Sequence, residues 1–125
     1  MTVILHLLPE ATWRSLPPGT ATWAPASLAE EGFVHCSGSD EVMLRVANAI
    51  YQGEPGAFVV LSLDPDWLTS EVRWEPPSPP GPATEGVLFP HVFGPLDLAA
   101  VVRVRRMDRD ADGSFAGYSS YDPSA

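Results

Sequence analysis

At 125 residues with 45% apolar side chains, the chain is long enough to bury a core and short enough to form one domain. A net charge of −9, with seven arginines and no lysine, excludes the broad basic face of a duplex nucleic-acid binder but leaves room for a local arginine pocket. The single cysteine, Cys36, excludes an intramolecular disulfide and fits a reducing, cytoplasmic compartment, and no apolar run reaches membrane-span length.

Residues 2–8 form a near-continuous apolar run, predicted as a first strand covered on both faces. The run lacks a basic flank and a small-residue cleavage site, so it reads as a strand and not a signal peptide. Pro9 and Glu10 open a short helix with Trp13 and Leu16 on its apolar edge, closed by Pro17-Pro18-Gly19. Thr20 to Ala24 is a linker or short strand carrying Trp23. Pro25 starts a second short helix, with Gly32 just beyond its end. A strand through the middle of Gly32–Ser37 would put Phe33, His35 and Ser37 on one face and Val34 and Cys36 on the other. Ser39 is the expected N-cap of the longest helix, whose core stripe reads Val42, Val46 and Ile50, flanked by Met43 and Ala47. Ala57 to Leu63 and Glu71 to Glu75 read as strands. Pro76 to Gly86 reads as an exposed loop, long enough to be a lid. Phe89 to Phe93 and Ala99 to Met107 complete the strands, and residues 116–125 are expected to fray. These elements predict one α+β domain over residues 1–115, with about six strands in two small splayed sheets, mixed or antiparallel.

His6, His35 and His91 are the only histidines, and each interrupts an apolar run. A single such imidazole usually bonds a backbone group; three of them suggest strands converging on one pocket, with His35 shielded from water. Cys36 reads as a small buried residue, since its neighbour His35 points to the opposite face; pairing of Cys36 with His6 or His91 stays open. Ser37 shares the face of His35 and suits a ligand. Glu75 ends a strand with alternating character. Asp108 to Gly113 copies the first half of a calcium loop, but Ser119 stands where its bidentate glutamate belongs, so it reads as an acidic turn.

Ile4-Leu5-His6-Leu7, Ser27-Leu28, Glu31-Gly32-Phe33-Val34-His35-Cys36-Ser37, Arg73-Trp74-Glu75 and Phe89-Pro90-His91-Val92-Phe93-Gly94-Pro95-Leu96 resemble the signature of domain of unknown function family 952. That family has no established activity. The resemblance implies an ADP-ribosyltransferase-like fold, with two sheets splayed around a nicotinamide-dinucleotide cleft. It implies that His6 and His35 occupy the first- and second-strand cofactor positions, with the third role falling to Glu75 or His91. Tyrosines common in the family are replaced here by Leu5, Trp23 and Phe93, which shifts weight to the imidazoles. The expected site therefore comprises His6, His35, His91 and Glu75 as catalytic groups, with Ser37, Arg73, Trp23 and Phe93 binding a small-molecule ligand. NAD is the expected substrate, and no metal is expected. The alternatives are a zinc hydrolase held by the three histidines and a non-enzymatic ligand- or partner-binding module.

Overall fold

The computed structural model describes residues 2–78 and 80–123. Met1, Pro79 in the proline-rich stretch and residues 124–125 of the tail lie outside that range. The strands are β1 (Ile4–Pro9), β2 (Thr22–Trp23), β3 (Val34–His35), β4 (Phe58–Leu63), β5 (Val72–Glu75), β6 (Phe89–Val92), β7 (Leu96–Asp97), β8 (Val101–Arg109) and β9 (Phe115–Ser120). The α-helices are α1 (Glu10–Ser15), α2 (Ala26–Glu31) and α3 (Asp40–Val46), the last running on into a π turn over Ala47–Tyr51. The architecture is α+β, and every ladder is antiparallel. Instead of two sheets of about six strands, the described residues form nine strands in three sheets, ordered β1-β4-β8-β9, β2-β7 and β3-β6-β5.

The apolar run of β1 is buried on both faces because β4 beside it is also buried along its whole length. Ile4 and Leu8 join Val59, Leu61 and Leu63 of β4 in one core, facing Val34, Val92 and Leu96 of the other sheets. On the opposite face Leu5 joins Phe58, Val60, Met107 and Phe115 in a second core covered by Met43 and Ala47. Ser39 caps α3, its side chain accepting a hydrogen bond from the Val42 N–H at 3.2 Å.

The stripe Val42, Val46 and Ile50 is not the core face, and Ile50 is exposed. The π turn adds a residue to the helical period, which leaves Met43 and Ala47 inward and rotates Ile50 away. Val102 of β8 is also exposed. β8 bulges there, so Ser62 pairs with Arg103 while Leu63 pairs with Val101.

The frayed tail expected from residue 116 is replaced by a strand. β9 pairs with β8 from Phe115 to Ser120, and Phe115 is buried. The turn joining β8 to β9 is the acidic one. Gly113 at φ +90° donates to the Asp110 carbonyl, and the Asp112 carboxylate accepts from both the N–H and the hydroxyl of Ser114.

The histidine strand lies in the middle of Gly32–Ser37 and holds two residues. Gly32, at φ +87°, closes α2 in the left-handed region, and β3 pairs with β6 only through Val34–Val92 and His35–His91. The chain then crosses to the first sheet: Ser37 and Leu5 exchange two backbone hydrogen bonds of 2.8 Å. Phe93 donates to Glu71 on the β5 side, so by alternation the N–H that Pro90 lacks is the one facing β3. The β3–β6 ladder stops there, and the two sheets diverge from the point where the histidines sit.

Candidate functional site

Between the diverging sheets lies a cavity of about 910 Å³ whose wall includes His6, His35 and His91. Each imidazole is held differently.

His6, on β1, is buried, and its Nδ1 lies 2.8 Å from the His35 carbonyl oxygen. A carbonyl only accepts, so Nδ1 carries the proton in that bond and Nε2 is left with a lone pair. Nε2 is buried without a hydrogen-bond partner among the described residues. Burial pushes the His6 pKa down from 6.5 to about 4, against the bond to the His35 carbonyl, which raises it. The ring is therefore neutral at pH 7. Trp23 of β2 packs at a tilt beside it, with ring centroids 5.5 Å apart.

His91, in the central strand of its sheet, is also buried. Its Nδ1 is 2.8 Å from Glu75 Oε1 on β5, and its ring stacks on Phe33 at 4.1 Å. His35 is half-exposed, with 41% of its side chain accessible, which corrects the expectation that it is shielded. β3 has two residues and lies at a sheet edge. The His35 Nε2 lies 2.7 Å from Glu31 Oε2 at the end of α2. The rings of His35 and His91, opposite each other across β3 and β6, meet edge-on at 5.6 Å.

Of the other expected residues, Ser37 and Trp23 line the cavity. Glu75 reaches it only through His91. Arg73 and Phe93 do not line it: the Arg73 guanidinium pairs with Glu71 at 2.8 Å and lies 4.5 Å from the Phe93 ring centre. Cys36 lines the wall, but burial drives its thiol pKa far upward, so it remains a thiol and supplies no nucleophile.

Sequence reasoning missed Glu31, because a carboxylate four residues before His35 faces it only through the reversal at Gly32. It also missed Val46, Ala49 and Ile50, which border the cavity because the π turn points them there. The proline-rich stretch contributes wall too, through Pro77, Ser78 and the short 3₁₀ turn Pro82–Thr84.

A family model described as "Protein of unknown function (DUF952)" matches residues 7–104. The chain belongs to DUF952. The match runs from the second half of β1 into the first half of β8, so every histidine except His6 falls inside it. The crystal structure of protein CC0527 from Caulobacter crescentus is similar to this DUF952 chain, with a TM-score of 0.71 and 27% identity over 92% of this chain and 94% of that one. The solution NMR structure of CC0527 aligns with a TM-score of 0.67 and 28% identity over 90% of each chain. No curated protein matches.

Chemically, this DUF952 cavity offers a neutral imidazole acceptor and two imidazole–carboxylate pairs on largely apolar walls. Among the described residues, no three His, Cys, Asp or Glu side chains are placed to hold a metal ion. The zinc-hydrolase alternative therefore finds no three-residue ligand set among the described residues. No helix among the described residues is long and apolar enough to cross a membrane.

Proposed function

We propose that the cavity binds the nicotinamide-ribose end of a nicotinamide dinucleotide and that the protein is an ADP-ribosyltransferase-like enzyme. The observation that carries this reading is the orphaned, buried Nε2 of neutral His6 on the cavity wall. A buried acceptor without a partner costs about 1–3 kcal/mol. A ligand hydroxyl or amide N–H relieves that cost, and a ribose or a carboxamide brings such a group. Trp23 supplies an aromatic surface beside it for a flat ring.

In this reading the bond from ribose to nicotinamide breaks, the neutral nicotinamide leaves, and an acceptor oxygen attacks the ribosyl cation. The Glu75–His91 pair stabilises that developing positive charge. The accessible Glu31–His35 pair takes the proton released by the acceptor.

Thermal melts with NAD test the binding. A ligand at about 100 times its dissociation constant adds about 2.7 kcal/mol of stability. Absence of any shift at millimolar NAD would refute the reading. Release of free nicotinamide, followed by chromatography, separates an enzyme from a module that only binds.

A further inference from the structure

We infer that the cavity is selective for a positively charged or neutral aromatic ring with its ribose, and that phosphate groups stay outside it. This inference rests on the nicotinamide reading above and narrows it to a ligand class. Among the described residues, no arginine lines the cavity. The positive side chains are placed elsewhere. Arg103, Arg105, Arg106 and Arg109 lie on β8, where Arg105 pairs with Asp40 and Arg106 with Glu10. Arg109 is spent on the carbonyls of Gln52, Gly56 and Gly113. Arg73 pairs with Glu71, Arg45 with Glu41, and Arg14 lies beside Glu10 and Tyr121.

The wall instead carries a carboxylate. Glu31 faces the cavity beside His35, and Glu75 lies one hydrogen bond behind His91. A phosphate entering here would meet like charge without a cation to offset it. A pyridinium ring meets the opposite situation. Its charge is attracted to Glu31, and Trp23, Tyr51 and Phe58 offer aromatic surfaces of the kind that attract cations. His6, neutral at pH 7, adds no positive charge to repel it.

Titration calorimetry at pH 8, where an ordinary imidazole is neutral, tests this with nicotinamide riboside, nicotinamide mononucleotide, ADP-ribose and NAD. The expected result is riboside binding at least about tenfold tighter than the mononucleotide, which differs only by its phosphate, with ADP-ribose weakest. Glu31→Gln, a change at a half-exposed side chain, should weaken riboside binding severalfold and narrow the gap to the mononucleotide. Circular dichroism melts of the unliganded variant report whether it is folded. Equal or tighter binding of the mononucleotide or of ADP-ribose overturns the inference, as does a Glu31→Gln variant that keeps its folding and the full preference. Riboside binding without NAD binding would refute the dinucleotide reading and leave this selectivity standing. NAD binding without riboside binding would do the reverse, and failure of all four ligands would remove both.

Discussion

Replacing His6 by leucine separates a side chain kept for binding from one kept for folding. The substitution removes the Nδ1–H bond to the His35 carbonyl, which contributes about 0.5–1.5 kcal/mol and leaves that carbonyl unpaired. It also removes the orphaned Nε2, whose desolvation costs a comparable amount, and it adds apolar contact inside a strand buried on both faces. The two sides nearly cancel. At pH 7.5 the unliganded variant should unfold within about 1 kcal/mol of the parent, a shift of about 3–5 °C or less for a domain of this size. The pH dependence gives the sharper reading. His6 titrates near 4 when folded and near 6.5 when unfolded. Between those values the unfolded chain binds more protons, so stability rises with pH. The contribution is whole above about pH 6.5 and is lost as pH falls toward about 4. The window corresponds to about 3 kcal/mol, taken as an order of magnitude. Urea unfolding at pH 7.5 and pH 4.5 should therefore show His6→Leu losing less stability on acidification than the parent. Equal pH dependence in the two proteins, or a loss above about 2 kcal/mol at pH 7.5, would refute this account of His6.

Asp40 is held below the usual carboxylate range by its hydrogen bonds to Arg105, against a smaller burial effect. The stability it contributes is present above the ordinary carboxylate pKa and is lost as pH falls through the lowered one. Asp40→Asn should lower the urea midpoint by about 1–2 kcal/mol, reduced because Asp40 is over half exposed, and should flatten the acid limb below pH 4. At Gly94 an added Cβ would lie 2.2 Å from Ser70 Oγ, which donates to the Pro95 carbonyl. Gly94→Ala should therefore cost about 1–3 kcal/mol in thermal melts, and the double variant with Ser70→Gly should recover most of it. The Cys36 thiol is buried, so alkylation by iodoacetamide at pH 7.5 should follow the unfolding rate and proceed rapidly only in denaturant.

Much of the scaffold was legible in the chain because the signals are local. The Ser39 cap, the apolar strands β1 and β4, and the breaks at Pro17–Gly19 and Gly32 each follow from a few adjacent residues. Elements that depend on a partner were not legible. Ala116 to Ser120 are small or polar apart from Tyr118 and show no strand pattern of their own; β8 beside them supplies the pairing. Ile50 was assigned to the core because periodicity assumes an unbroken α-helix, and one π turn changes the phase. The site divides in the same way. Three imidazoles inside apolar runs marked the cavity wall, while the choice of His6 and not His35 as the buried ring depended on where β3 stops. Glu31 was hidden because its contact requires a left-handed turn between neighbours in sequence.

Proline in the middle strand of a sheet ordinarily counts against the strand, since it leaves a gap in the ladder. Here the gap has a use. With no N–H at Pro90 facing β3, the chain after His35 has one fewer reason to continue along β6 and bonds to Leu5 instead. The His35 carbonyl accepts a hydrogen bond from the Nδ1–H of His6, so a side chain supplies the donor on the open side of this edge strand. The junction works like a railway switch. One missing donor sends the chain from one sheet to the other, and a histidine holds the points in place. A residue with an N–H at position 90 would give β6 one more donor on the side facing β3, at the point where the ladder now stops.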